Sequence, residues 1–151
     1  MSGELFLADA AATEALGRSL APVLRAGDVV LLSGRLGMGK TSFARGVLAG
    51  LGLAGEAPSP TFAILQPYAL PEVRLPVVHA DLYRIEDAGE LEELGLDDAL
   101  YDSALLVEWP ERVPASIWRD PLHLTFARAP AGGRSLTWHA SAAWERRWAP
   151  R

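Results

Sequence analysis

The chain has 151 residues, a formal net charge of −5, and hydrophobic side chains at half of its positions. That length fits one domain, 1–151, with room for a real core. The absence of cysteine excludes a disulfide scaffold, thiol catalysis and cysteine-ligated metal, and the acidic balance argues against a general nucleic-acid binder, which needs a basic face. Acids at Glu4 and Asp9 and the lack of a long apolar core argue against a signal peptide. No apolar run approaches the roughly 20 residues of a membrane helix. Together with the reducing compartment that a cysteine-free chain suits, this points to the cytoplasm.

In chain order, Leu5 to Leu7 reads as a short apolar strand. Asp9 is placed to cap a helix from about Ala10 to Leu24, with Leu16, Leu20 and Val23 on one face and Gly27 as its stop. Asp28 to Ser33 (DVVLLS) is a β-branched apolar run, hence a buried strand. It leads directly into GRLGMGKT, Gly34 to Thr41, and then into a helix that turns Phe43, Val47 and Leu48 inward and stops near Gly50 to Gly52. A loop marked by Gly and Pro follows, then TFAILQPYAL as a strand with turn signals at Pro67 and Pro71. LPVVHADLYRI reads as a short buried strand ending near Asp81. DAGELEELGLDDALY reads as one helix with Leu91, Leu94 and Leu100 inward and its acids outward. ALLVEWPERV reads as a strand ending at Glu108 and stopped by Pro110. Leu122 to Ala127 and Ser135 to Ala140 read as a hairpin turning at Gly132 and Gly133, and SAAWERRWA as a short closing helix. Strands alternating with helices, then a hairpin, predict an α/β fold: a mixed, mainly parallel sheet with helices on both faces and a C-terminal β-hairpin.

GRLGMGKT fits the phosphate-binding pattern G-x-x-x-x-G-K-[ST] in its required context of strand, glycine loop and helix. Gly34, Gly37 and Gly39 let the backbone curl until its N–H groups converge on one hollow, at the positive end of the following helix. Lys40 brings a point charge for terminal phosphates, and Thr41 a hydroxyl for Mg²⁺. Lys40 is the single lysine among 14 basic residues. The chain uses arginine everywhere except where a slim ammonium is needed. The nucleotide cradle read from this stretch is Gly34, Leu36, Gly37, Met38, Gly39, Lys40, Thr41 and Ser42.

A nucleotide hydrolase also needs a carboxylate near the metal, at the C-terminal end of a buried strand. Asp81 after VVHA and Glu108 after ALLV both qualify, since a parallel sheet puts its ligand edge there. Either acid is suited to the metal directly or through water. Thr61 in SPTF follows a loop and has two readings, a metal-sensing switch residue or a plain strand-opening threonine. The second needs fewer assumptions.

The set GRLGMGKT, SPTF, HADLYR, LEELGL and VEWPE, in this order and spacing from about Thr13 to Arg134, resembles the bacterial TsaE (YjeE) family. These are small P-loop ATPases of the machinery that makes threonylcarbamoyladenosine in tRNA. The resemblance implies ATP and Mg²⁺ as ligands, with Lys40 and Thr41 on phosphates and metal and Glu108 as the strand-end acid at Mg²⁺. It implies that Asp81 is needed for hydrolysis through the attacking water, that Trp109 lies beside the site, and that Thr13 and Arg134 lie near the base. It further implies work with the TsaB and TsaD proteins, the second of which transfers the threonylcarbamoyl group, with tRNA engaged only indirectly. Arg35 and Met38 depart from the residues more usual in the family's loop, and Met38 beside Gly39 raises the question of crowding.

No arginine is marked by sequence as a finger. Arg84 in HADLYR is the nearest candidate, and the incomplete set predicts slow hydrolysis alone and faster turnover with partners. Two rivals share the phosphate loop. A small-molecule kinase would add an arginine-bearing lid and an acceptor site, whereas the segment downstream is acidic. A GTP switch would need N-K-x-D, which a chain with one lysine already spent at Lys40 cannot supply. From Glu86 to Asp102 the chain carries eight acids and no Lys or Arg. That run has two readings, a solvated helix face or a docking surface, with Glu92 and Glu93 as its probes. Trp144 and Trp148, with Arg146 and Arg147 between them, read as exposed tryptophans with two roles open to them, a second contact surface or a cover for the sheet edge, and the cover is favoured.

Overall fold

The computed structural model describes residues 1–55 and 65–148, and for Ala88 the backbone alone. Thr61 therefore lies outside the described residues. Seven strands form one sheet: β1 (Ser2–Leu7), β2 (Val29–Ser33), β3 (Leu65–Tyr68), β4 (Val77–Asp81), β5 (Ala104–Glu108), β6 (Leu122–Arg128) and β7 (Arg134–Ala140), in the order β1-β7-β6-β2-β5-β4-β3. The central run β6-β2-β5-β4 is parallel throughout. The flanking pairs β6–β7, β7–β1 and β3–β4 are antiparallel.

β2, β4 and β5 are buried at all of their positions, as continuous apolar runs covered on both faces must be. On one face, helices α1 (Ala10–Leu20) and α2 (Lys40–Gly50) cover Val30, Leu32, Leu106, Leu124 and Phe126. On the other, α3 (Ala88–Glu93) and α4 (Leu96–Ala99) cover Val29, Leu31, Leu105 and Val107 through Leu91 and Leu96. The fold is that of a P-loop NTPase, with helices on both faces and the hairpin β6–β7 at its C-terminal side. Pro67 sits within β3, the sheet's edge, where its missing N–H costs no ladder bond.

Local chemistry explains the element ends. Asp9 caps α1 by accepting from the Ala12 N–H at 2.8 Å. The helix is shorter than the hydrophobic pattern suggests, because Pro22 has no N–H to continue it and residues Ala21–Val23 tighten into a 3₁₀ turn. β1 is longer than its three apolar residues, since β7 pairs it along six positions. The acidic segment is not one helix. Gly95 takes φ 70° and breaks it into α3 and α4, which turns Leu96 into the core while Leu94 and Leu100 are half-buried. Glu92 and Glu93 face outward as expected. The closing helix is instead a 3₁₀ turn, Ala142–Trp144, and its tryptophans are buried, not exposed. Trp144 and Trp148 seal the α1–α2 side of the core, with the Trp144 indole N–H donating to Asp120 O at 2.9 Å.

Candidate nucleotide site

Side chains alternate across a strand, so the C-terminal ends of β2, β4 and β5 deliver their last residues side by side. Asp81 and Glu108 are direct neighbours in the parallel register of β4 and β5. β2 ends at Ser33, and the chain enters the glycine loop at Gly34, φ 140°. A side chain there would run into the Phe126 carbonyl, and Gly39 at φ 117° opens α2 from the left-handed region. The loop therefore wraps over the sheet edge and aims the first turn of α2 at a cavity of about 510 Å³, a size suited to a small-molecule ligand.

Thr13, Leu36, Gly37, Gly39, Lys40, Thr41, Ser42, Asp81, Glu108, Trp109 and Arg134 all line this cavity. Of the expected cradle residues, Gly34 and Met38 do not. Gly34 serves the loop from behind, its carbonyl accepting from Lys40 Nζ at 2.6 Å. Met38 packs against the core on the α1–α2 side, so its side chain does not crowd the phosphate hollow.

Lys40 is nearly buried and its ammonium lies 3.7 Å from the centre of the Trp109 ring. Burial pulls it below the usual lysine range, opposed by the fields of Glu108, Asp81 and Glu111. Burial likewise pushes the Asp81 carboxyl above its ordinary value, while the Tyr83 N–H, donating to Oδ1 at 2.9 Å, pulls it back. Thr41 Oγ1 faces Glu108 Oε1 at 3.4 Å, and the other carboxylate oxygen, Oε2, takes His79 Nε2 at 2.7 Å. Trp109 adopts φ 59°, a left-handed conformation that side chains avoid. It is held there by its own N–H to Leu32 O and by a tilted ring contact with Tyr83, ring centres 5.0 Å apart. The Arg134 guanidinium donates to Gly37 O at 3.3 Å and to Gly133 O at 3.0 Å, tying the β6–β7 turn to the glycine loop. Thr13 packs beside Gly39 at the start of α1.

Among the described residues no group of three or more His, Cys, Asp or Glu side chains is arranged to hold a metal. The hard oxygens that line the cavity are those of Thr41, Ser42, Asp81 and Glu108, and of these Thr41 and Glu108 face each other at 3.4 Å. That suits Mg²⁺, which binds through one or two protein oxygens and takes the rest from phosphate and water. It does not suit a metal needing a full protein cage.

Tyr83, Arg84, Gly133 and the segment Ala8 to Ala10 complete the cavity wall. The sequence reading left Tyr83 and His79 without a role although both stand inside HADLYR. What was missing was the β4–β5 register that sets His79 beside Glu108. Gly133 was legible only as a turn.

The family model described as Threonylcarbamoyl adenosine biosynthesis protein TsaE matches residues 7–136. The chain belongs to the TsaE family. The matched span takes in every residue of the cavity wall, from Ala8 to Arg134. The tRNA threonylcarbamoyladenosine biosynthesis protein TsaE of Streptomyces coelicolor is 46% identical over 115 residues, covering 76% of this chain and 78% of that protein. Its namesake in Bacillus subtilis is 37% identical over 129 residues, covering 85% and 79%. Among solved structures, the crystal structure of Bacillus subtilis YdiB matches with a TM-score of 0.74 at 29% identity, over 97% of this chain and 90% of that one. As a TsaE-family fold, the chain is built for nucleotide binding at its P-loop. No helix among the described residues is long and apolar enough to cross a membrane.

Proposed function

We propose that this TsaE-family chain, acting as one domain over 1–151, binds ATP with Mg²⁺ and hydrolyses it in support of threonylcarbamoyladenosine synthesis on tRNA, in the cytoplasm with TsaB and TsaD as partners. One observation carries the reading. Lys40, Thr41, Asp81 and Glu108, drawn from three separate stretches of sequence, converge on a single cavity at the ligand edge of the sheet.

The loop N–H groups and the start of α2 hold the phosphate oxygens. Lys40 exchanges its bond to the Gly34 carbonyl for one to a terminal phosphate. Thr41 and Glu108 would hold Mg²⁺, which would supply positive charge against the terminal phosphates. Asp81 orients the attacking water and accepts its proton, and the upward push of burial brings it closer to the working range of a general base. Thr13 and Arg134, on the cavity wall beside Gly39 and Gly37, hold the base end of the nucleotide. Trp109 stacks on Lys40 and closes the side toward Tyr83. Arg84 lines the same wall from an exposed position.

The test is ATP hydrolysis by the purified chain, alone and with TsaB and TsaD, using Lys40→Ala as the blank. Slow turnover alone that rises with the partners and vanishes in the blank supports the reading. Turnover on the order of tens per second by the isolated chain, or no response to the partners, refutes the partnered ATPase.

A further inference from the structure

His79 does not touch the cavity. It is 1% exposed, yet it holds a residue that does. On β4 its side chain shares a face with Asp81, two residues on. In the parallel register His79 stands opposite Leu106 and is thus diagonal to Glu108, within reach of a long side chain. The contact is made: His79 Nε2 to Glu108 Oε2 at 2.7 Å, with the pair buried. A carboxylate only accepts, so the ring proton of this bond sits on Nε2. Nδ1 has no partner among the described residues, which leaves the contact with Glu108 as the ring's one polar engagement.

The consequence falls on the carboxylate. Its two oxygens have separate duties. Oε2 is tied inward to His79, and Oε1 is thereby turned to Thr41 at 3.4 Å. Lys40 is near enough for its charge to be felt by Glu108, but its ammonium bonds the Gly34 carbonyl instead. Released from His79, the Glu108 carboxylate would be free to turn, and Oε1 would lose its fixed aim at Thr41, while Lys40 would keep its own bond to the Gly34 carbonyl.

We propose that His79 is a positioning residue that fixes the Glu108 carboxylate against Thr41, so that the pair of oxygens is set for Mg²⁺ before the nucleotide arrives. This rests on the reading of Glu108 as a metal-holding residue given above. Partners of metal ligands orient them, and losing one costs roughly 10–100-fold in metal affinity.

The experiment is calorimetric titration of ADP into the full chain, in EDTA and across a Mg²⁺ series. The variants are His79→Asn, His79→Leu, His79→Gln and Glu108→Gln, each with a thermal melt to confirm folding. Asn is too short to reach Glu108. Leu lacks a donor but fills the buried volume, and Gln places an amide N–H near the position of Nε2. The expected result is a Mg²⁺ midpoint raised roughly 10–100-fold in the Asn and Leu variants. Binding in EDTA stays as in wild type, and Gln restores most of the Mg²⁺ response. Adding His79→Leu to Glu108→Gln shifts the midpoint no further. A folded, donor-free variant with the wild-type midpoint overturns the proposal, as does an equal loss in EDTA and in Mg²⁺, which marks a purely structural histidine. If wild type itself shows no response to Mg²⁺, the metal-holding role of Glu108 falls first and this inference falls with it.

Discussion

At the scale of single residues, legibility tracked the reach of local chemistry. The glycine loop, Lys40 and Thr41 are readable because the constraint that shapes them is sequential: strand, tight turn, helix. Asp81 and Glu108 are readable as strand-end acids, but their adjacency is a product of β-register. The left-handed backbone at Trp109 is invisible in the letters VEWPE, since it is imposed by the turn between β5 and Pro110. A second group, which joins Glu111 of VEWPE to residues outside any motif, makes a residue-scale prediction. Ser33 Oγ lies 2.7 Å from His123 Nε2 and 2.9 Å from Glu111 Oε2, and His139 faces His123 across the β6–β7 pair. Burial holds the His123 ring below the ordinary histidine value, with Glu111 working against it and His139 with it. A folded-state pKa below the unfolded one means that, as pH falls through the usual histidine range, the unfolded chain takes the proton first and stability drops. The urea midpoint should therefore fall between pH 7.5 and 5.5, and His123→Gln should flatten that slope. An unchanged slope in the variant assigns the pH dependence to other groups.

At the scale of elements, the period of apolar residues located the strands and helices, while their ends were set by what periodicity cannot report. Pro22 cut α1 short, and Gly95 split the acidic helix in two. The pairing of α1 with α2 is also outside the hydrophobic pattern, because it depends on glycines. A methyl added at Gly17 would run into the Phe43 carbonyl, and one at Gly46 into that of Glu14. Each helix carries its glycine where the other's backbone comes closest. Gly17→Ala should thus gain helix propensity worth up to about 1 kcal/mol and lose more to the forced separation, overpacking costing about 1–3 kcal/mol. Because α1 brings Thr13 and α2 begins at Lys40, the same substitution should weaken nucleotide binding as well as lower the denaturation midpoint. A variant as stable as wild type would show that the helices part freely.

At the scale of the whole molecule, the sequence supported a mixed sheet, mainly parallel, with helices on both faces and a terminal hairpin, and the structure has that architecture. The strand order was not legible. β2 lies between β5 and β6, and β1 joins β7, through contacts separated by most of the chain. The tail illustrates the difference. Trp144, Arg146, Arg147 and Trp148 read as surface, but the tryptophans fill the core, and Arg147 folds back over the start of the sheet. Its guanidinium meets both oxygens of Asp28, at 2.6 and 2.9 Å, donates to Val23 O at 3.0 Å and covers the Trp144 ring. Charged hydrogen bonds of this sort contribute about 2 kcal/mol. Arg147→Ala should lower unfolding free energy by about that much, with Arg147→Lys recovering only part, since an ammonium cannot form the two-pronged contact. Equal stability of the three proteins in urea would count against the clasp.

The pairing of β1 with β7 also bears on how the protein is made. Part of the cavity wall comes from residues just after β1, Ala8 to Ala10 and Thr13, and their neighbours in the pairing, Gly133 and Arg134 at the opening of β7, supply another part. On the ribosome the glycine loop emerges early, yet its strand β2 must wait for β5 and β6 as neighbours, and Arg134 appears only after all three strands. Such long-range closure makes for slow, late assembly. A nascent chain that stops short of the hairpin carries the whole phosphate-loop motif without the guanidinium that ties it down. The cavity wall is thus completed only when β7 has paired with β1.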